Sequence, residues 1–194
     1  MRADNLYDLP LDLPAPVDDG ATRHLTGSMV PMVEIPSTNG DLVNLGLESN
    51  ALTVVYCYPR TGRPDANALG GMEFWNAIPG ARGCTPQSCS YRDHHEELQS
   101  LGAMVYGLST QTTDYQREAV CRLHLPFPLL SDIRGEFTEK LRLPQFEVEG
   151  VRLLKRLTLI IAQGRILHCI YPVFPPHHDA GKVISWLRHH PASL

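Results

Sequence analysis

Residues 51–58 read Ala-Leu-Thr-Val-Val-Tyr-Cys-Tyr, a nearly continuous apolar run that is followed by Pro59. The length of the run and its β-branched and aromatic residues favour a strand over a helix. Because apolar residues stand at almost every position, both faces of this strand should be buried, as they are at the centre of an α/β sheet. The run therefore predicts a central strand that ends before Pro59.

The sequence upstream of this strand begins with a Pro-rich segment and then becomes typical of a globular domain. Residues 1–26 hold Pro10, Pro14 and Pro16, which interrupt the hydrogen bonds of helices and ladders, so an irregular N-terminal arm is expected. Residues 27–194 are predicted to form one domain. Within it, the turn signal Asn39-Gly40 separates apolar stretches at 33–35 and 42–45 and predicts a hairpin.

Downstream of residue 83, apolar runs alternate with helical patterns. Strands are predicted at 104–108, 127–130, 156–161 and 165–171, and helices at 114–123, 135–141 and 180–189. The alternation predicts an α/β protein with a mixed central sheet and helices on both faces. Residues 60–83, which are rich in Gly and Pro, are predicted to be a long loop, a kind of segment that is usually functional or disordered.

Cys84 and Cys89 follow that loop at a predicted helix start. Pro86 suits the first helical position and Thr85 the N-cap, and apolar residues at helical spacing continue the pattern to about residue 100. A thiol beside a helix N-terminus faces unpaired N–H groups and the positive end of the helix dipole. Both favour the thiolate, which is the nucleophilic form of cysteine, so redox chemistry is indicated.

An intact helix keeps Cys84 and Cys89 apart. Residues five positions apart are rotated about 140° from a shared face and separated by about 7.5 Å of rise, whereas a disulfide needs Cα atoms within about 7 Å. If these two cysteines bond, the first helical turn must unwind. The chain would then alternate between a folded reduced form and a locally unfolded oxidised form.

Composition excludes several classes of protein. The 194 residues are 43% hydrophobic and 20% charged, with a net charge of −4 and no run of Lys or Arg, which argues against nucleic acid or an anionic membrane as partner. No apolar stretch is long enough to span a bilayer, and the first residues lack the apolar segment of a signal peptide. The odd number of cysteines, five, suits a reducing compartment. We therefore expect a cytoplasmic protein. We also predict a monomer or a weak homodimer, although nothing in the composition decides between them.

The motif 83–93, Gly-Cys-Thr-Pro-Gln-Ser-Cys-Ser-Tyr-Arg-Asp, resembles the active-site helix of the peroxiredoxin Q or bacterioferritin comigratory protein family. The likeness extends from about Gly27 to the C-terminus and includes these further stretches: Tyr56-Cys57-Tyr58-Pro59, Gly107-Leu108-Ser109, Leu130-Ser131-Asp132, and residues 156–161 with 163–166. The resemblance implies a thioredoxin-like fold. It also implies a thiol-dependent peroxidase that reduces hydrogen peroxide or organic hydroperoxides and is itself reduced by a thioredoxin-like protein, without metal or cofactor.

Carried over by position, the resemblance makes Cys84 the peroxidatic cysteine and Cys89 the resolving cysteine. Arg156 matches the active-site arginine of the family, whose charge favours the thiolate and stabilises the departing oxygen. Gln87 stands where the family carries Glu or Gln. Cys121 is an alternative resolving cysteine, because some relatives place that residue on the following helix.

One departure from the family motif concerns the peroxide site. The family carries Pro-x-x-x-Thr-x-x-Cys, whereas here Ala81 stands three residues before Cys84 and Pro59 stands 25 before it, so residues 60–83 resemble an insertion. Thr61, Thr85 or backbone N–H groups are candidates to replace the missing hydroxyl.

Two other functions compete with the peroxidase. A redox sensor or thiol–disulfide relay would retain the two cysteines without efficient peroxidase turnover. The other is a non-enzymatic module that binds a metal or a partner. Its metal site is less favoured, because Cys-x₄-Cys lies at the limit of zinc-ligand spacing and the adjacent His94 and His95 would point about 100° apart on a helix. For Cys57 and Cys169, packing in the core or sheet is the expected role.

Overall fold

The computed structural model of the chain describes residues 5–47 and 52–190. The strands are β1 (Glu34–Pro36), β2 (Leu42–Asn44), β3 (Leu52–Cys57), β4 (Ala103–Ser109), β5 (Leu129–Ser131), β6 (Gln145–Val148), β7 (Val151–Leu154), β8 (Leu157–Ala162) and β9 (Arg165–Ile170). The helices are α1 (Met72–Ala77), α2 (Cys84–Asp93), α3 (His95–Ser100), α4 (Thr113–Leu123), α5 (Glu136–Leu141) and α6 (Asp179–His189), and a 3₁₀ turn (Pro176–His178) leads into α6.

A five-stranded mixed sheet with the order β5-β4-β3-β8-β9 forms the centre of the molecule. β3 pairs in parallel with β4 and antiparallel with β8, and all six of its residues are buried. The central strand predicted from residues 51–58 is thus confirmed, although Ala51 lies outside the described residues. β1 with β2 and β6 with β7 form separate two-stranded hairpins.

The two faces of β3 enter two separate apolar clusters. Val54 and Tyr56 pack with residues of α2, α3, α4 and α6, whereas Val55 and Cys57 pack with residues of α5, β1 and the segment before β1. This division follows from the alternation of side chains along a strand. It confirms the prediction of a mixed sheet that is covered on both faces.

Most predicted elements lie within a few residues of their observed bounds, but three differ. α2 begins at Cys84 with Gly83 as its N-cap, so the predicted start at Pro86 with Thr85 as cap is wrong. The helical pattern expected to run to residue 100 is broken at His94, which separates α2 from α3. The predicted loop 60–83 contains α1.

The segment 60–83 is packed against the rest of the fold. Trp75 of α1 and Ala81 form a third apolar cluster with Val148 and Leu153, which belong to the hairpin β6–β7. The sequence analysis did not predict this hairpin. It turns at Glu149 and Gly150, both of which have positive φ. Segment 60–83 and the hairpin β6–β7 thus bury apolar side chains against each other.

The described part of the predicted N-terminal arm is irregular, since residues 5–28 form no helix or strand. Residues 27–30 then run beside β9: Gly27 and Val30 donate backbone hydrogen bonds to Ile166 and Gly164, each at 2.8 Å. In the described parts of the chain, no helix is long and apolar enough to cross a bilayer.

Candidate active site

Cys84 is the first residue of α2 and is only 3% exposed. Gly83 caps the helix with a φ of 107°, and a Cβ on Gly83 would lie 2.4 Å from Cγ of Pro176. Only glycine adopts this conformation in this space. The close contact with the turn before α6 therefore fixes the point at which α2 starts and holds the thiol at the helix N-terminus, where unpaired backbone N–H groups favour a thiolate.

Arg156 lies directly against this thiol. Its Nη2 donates to Sγ of Cys84 at 3.2 Å and also lies 3.2–3.3 Å from the backbone carbonyls of Gly80, Ala81 and Arg82. Arg156 precedes β8 and is 3% exposed, so little water screens its charge. The structure thus brings together two of the three predicted site residues, and the guanidinium favours the negative charge of a thiolate.

A buried hydrogen-bond network supports Arg156 on the side away from the thiol. Nη1 of Arg156 donates to Oε1 of Gln87, and Nε2 of Gln87 donates to Oδ2 of Asp179 at 2.8 Å. The hydroxyls of Tyr91 and Thr158 donate to the same carboxylate oxygen at 2.9 and 2.7 Å. Burial raises the pKa of Asp179, while these three hydrogen bonds and the charge of Arg156 act in the opposite direction.

A small cavity adjoins Cys84. Its volume is about 20 Å³, which is room for roughly one water molecule. Thr61, Trp75 and Leu6 are among its lining residues, so the segment 60–83 and the N-terminal arm both reach the thiol. A molecule as small as hydrogen peroxide fits the scale of this space, whereas a larger hydroperoxide requires the lining to move.

The cavity also shows what stands in place of the expected threonine. The side chain of Ala81 packs beside Trp75, and only its carbonyl points to Arg156 and Cys84. Thr61 and Thr85 both line the cavity and are buried. Two of the candidates to replace the missing hydroxyl therefore line the same cavity as the thiol.

Comparisons with known proteins agree with this geometry. A family model described as Redoxin matches residues 25–184. The chain belongs to the Redoxin family. Over 175 residues it is 30% identical to peroxiredoxin Bcp of Escherichia coli K12, covering 84% of this chain and 96% of that protein. It is 27% identical over 163 residues to the chloroplastic peroxiredoxin Q of Oryza sativa subsp. japonica, covering 84% and 66%.

The crystal structure of peroxidoxin BcpB from Mycobacterium tuberculosis superposes with a TM-score of 0.69 at 26% identity, covering 86% of this chain and 99% of that one. The predicted thioredoxin-like fold is thereby confirmed. The chain is a peroxiredoxin of the Bcp or Q type, and the predicted class of thiol-dependent peroxidase is confirmed as well. Peroxide is the oxidising substrate of this class, and a thioredoxin-like thiol protein is its general reductant. The comparisons do not favour the sensor or relay.

The remaining cysteines of the peroxiredoxin differ in their surroundings. Cys89 lies in α2, where partial burial raises the pKa of its thiol, and Cys121 lies in α4 and is exposed. All five cysteines are free thiols. Burial raises the pKa of Cys57 well above its ordinary value and that of Cys169 to about 12. Both Cys57 and Cys169 pack in the core cluster that contains Val55, which agrees with a packing role.

Sequence reasoning missed two features of this peroxiredoxin site. Asp179 and Thr158 hold the network behind Arg156, and Leu6 of the arm lines the cavity. Asp179 follows His177-His178 at the start of the last helix, where an acidic residue is ordinary, so its sequence position gave no sign of a role. Leu6 is one apolar residue in a Pro-rich arm that has no periodicity.

Proposed function

We propose that Cys84 is the peroxidatic cysteine of this peroxiredoxin and that Arg156 activates it. The observation that carries the proposal is the 3.2 Å contact of Arg156 Nη2 with Cys84 Sγ at the N-terminus of α2, beside a cavity. The Cys84 thiolate attacks one peroxide oxygen, the O–O bond breaks, and Cys84 becomes a sulfenic acid. The other oxygen leaves as an alkoxide or hydroxide, which takes up a proton to give alcohol or water. Arg156 stabilises the charge on both sulfur and departing oxygen.

Cys89 is the resolving cysteine in this proposal. Its thiol attacks the sulfenic sulfur of Cys84, a disulfide forms, and the sulfenic oxygen leaves as water. Both cysteines lie in α2, which supports the expected unwinding of its first turn before they bond. Two electrons from a thioredoxin-like dithiol then return both cysteines to thiols.

Peptide mass spectrometry after limited hydrogen peroxide treatment tests both roles. We expect a Cys84–Cys89 linkage in the native chain, loss of peroxide consumption in Cys84→Ser, and a sulfenic acid that persists or overoxidises in Cys89→Ser. Cys121→Ser is the matched control, because it removes an exposed thiol and should keep the same linkage. A Cys84–Cys121 linkage would refute the resolving role of Cys89 and leave the peroxidatic role intact. Peroxide consumption by Cys84→Ser at the native rate would refute the peroxidatic role.

Three further proposals rest on the sequence. We propose that residues 27–194 are the catalytic domain and residues 1–26 an arm, which the Redoxin match to 25–184 supports. The odd cysteine count supports a cytoplasmic location, where thiols stay reduced. A monomer or weak homodimer is the proposed state, and light scattering of reduced protein over a range of concentrations tests it.

A further inference from the structure

A buried carboxylate outside the active-site motif is linked to the reactive thiol through two side chains. Asp179, the first residue of α6, is 0% exposed and accepts from Gln87 Nε2 at 2.8 Å. Oε1 of Gln87 accepts from Nη1 of Arg156, whose Nη2 lies 3.2 Å from Sγ of Cys84. The hydrogen-bond path from α6 to the sulfur therefore runs through the amide of Gln87.

The chemistry of an amide makes its orientation decisive. The Gln87 amide has one accepting end and one donating end, whereas the guanidinium of Arg156 only donates and an ionised carboxylate only accepts. In the observed orientation, the amide oxygen of Gln87 accepts from Arg156 and its N–H group donates to Asp179. A reversed amide would place N–H groups against the guanidinium and an oxygen against the carboxylate of Asp179, losing both hydrogen bonds in a buried site.

Asp179 is itself held in place. The hydroxyls of Tyr91 on α2 and Thr158 on β8 donate to its Oδ2 at 2.9 and 2.7 Å, so the carboxylate is fixed against two elements besides its own. Arg156, Tyr91 and Cys57 are ionisable groups that interact with Asp179. Three groups donate to one oxygen of Asp179, as expected for a carboxylate that only accepts hydrogen bonds. Such a carboxylate favours the orientation in which Gln87 presents its N–H end.

We propose that Asp179 is a positioning residue, which fixes the Gln87 amide and thereby keeps the donating edge of Arg156 against Cys84. This inference rests on the proposed peroxidatic role of Cys84. Asp179 acts through Gln87 and Arg156 and touches neither sulfur nor peroxide. A glutamate at position 87 would place a negative charge directly against Arg156. The charge of Asp179 lies one side chain further from the thiol, and it therefore disfavours the Cys84 thiolate less.

Asp179→Asn tests the proposal with almost no change in shape. The introduced amide can donate as well as accept, so residue 179 no longer demands the N–H end of Gln87, and only the contact with Arg156 still favours the native orientation. Oxidation of Cys84 by hydrogen peroxide is measured in single-turnover quenched flow between pH 4 and 9, with peptide mass spectrometry to follow Cys84 alone. We expect the rate at pH 7 to fall about tenfold or more, and the pH at half-maximal rate to rise.

The sign of that pH shift separates positioning from a plain charge effect. Loss of a nearby negative charge alone would favour the thiolate and lower the pH midpoint. A lowered or unchanged midpoint would therefore overturn the proposal. Asp132→Asn is the matched control: Asp132 is also buried, but it caps α5 through Phe137 N and Thr138 N, so its loss should leave both rate and midpoint unchanged.

A double-mutant cycle tests whether Asp179 acts through Gln87. In a Gln87→Met background, Asp179→Asn should cause no further loss of rate, whereas additive losses would overturn the proposed path. If Asp179→Asn does not fold, Gln87→Glu/Asp179→Asn exchanges donor and acceptor with no change of net charge. This pair should fold and oxidise Cys84 faster than Gln87→Met, and a pair that is no faster would overturn the proposal. Absence of Cys84 oxidation in the native chain would instead refute the proposed function.

Discussion

At the scale of single residues, the direction of each hydrogen bond decides which threonine can serve the peroxide. The Thr61 hydroxyl donates to Oε1 of Gln111 at 3.1 Å, and the Thr61 backbone N–H donates to the same atom at 2.9 Å. Because its proton is engaged, the Thr61 oxygen keeps lone pairs that can accept from a peroxide O–H. The Thr85 oxygen is buried without a hydrogen-bond partner among residues 5–47 and 52–190. We therefore predict that the Thr61 hydroxyl, which Gln111 holds in place, is the acceptor for the peroxide.

Thr61→Val is expected to lower kcat/KM for hydrogen peroxide about 10- to 100-fold, because one oriented hydrogen bond to the reacting peroxide is lost. Thr85→Val is the matched control, since it makes the same isosteric change at the same cavity. It should leave kcat/KM near the native value and raise thermal stability slightly, because it removes an unsatisfied buried hydroxyl. Steady-state peroxide consumption with an excess of thiol reductant measures both variants. The reverse pattern would assign the role to Thr85.

At the scale of elements, the sequence predicts what local patterns encode. Apolar runs in the sequence indicate strands β3, β4, β8 and β9. A capping threonine indicates the start of α4, where Thr112 accepts a hydrogen bond from Tyr115 N. Helix α1 was not predicted, because the Gly and Pro residues around it are typical of a loop and its apolar residues face a hairpin that is distant in sequence.

Among the site residues, Cys84, Cys89 and Arg156 were predicted from the motif and from the family resemblance. Asp179 could not be, because its contact with Gln87 spans 92 positions and depends on how α6 packs against α2.

The N-terminal arm contributes to the wall of the cavity beside Cys84. Nη2 of Arg82 donates to the carbonyls of Asn5 at 2.7 Å and Asp8 at 3.3 Å, which holds Leu6 in the cavity wall. Further along the arm, Asp19 bonds Lys155 and Tyr171, and these contacts lower the pKa of Asp19 to about 2. These contacts attach the arm to the fold, and the first of them lies next to the reactive thiol.

Leu6→Ala is expected to raise kcat/KM for tert-butyl hydroperoxide several-fold relative to that for hydrogen peroxide. The reason is steric: the bulkier substrate needs the space that the Leu6 side chain occupies, whereas hydrogen peroxide needs little more than the existing cavity. The measurement is the ratio of the two kcat/KM values. Leu11→Ala is the control, because Leu11 lies in the same arm and is fully exposed. An equal ratio in the two variants would show that Leu6 does not limit access.

At the scale of the whole molecule, α2 connects the active site to the fold. Tyr91 stacks on Tyr56 of the central strand with ring centroids 4.4 Å apart, and Gln87 and Tyr91 both bond Asp179 of α6. In the proposed cycle, a Cys84–Cys89 disulfide requires the first turn of α2 to unwind, which breaks the contacts of Gln87 with Asp179 and Arg156. The proposed cycle therefore alternates between two states of unequal stability.

The oxidised protein is expected to melt several degrees below the reduced protein, although it carries an additional covalent bond. A disulfide that closes so short a loop stabilises a fold by about 2 kcal/mol. Two buried hydrogen bonds to charged groups, those of Gln87 with Asp179 and Arg156, are each worth about 1.5–3 kcal/mol and are lost when the turn unwinds, so the loss exceeds the gain by about 1 kcal/mol or more. A net change of about 1 kcal/mol shifts Tm by about 2–4 °C in a chain of this size.

Calorimetry of reduced and peroxide-treated protein measures the shift in Tm. The rate of hydrogen exchange should rise in residues 84–89, while β3 stays protected. Cys89→Ser treated with peroxide is the control, because it forms no such disulfide and should keep α2 protected. A higher Tm in the oxidised protein would mean that the helix does not unwind.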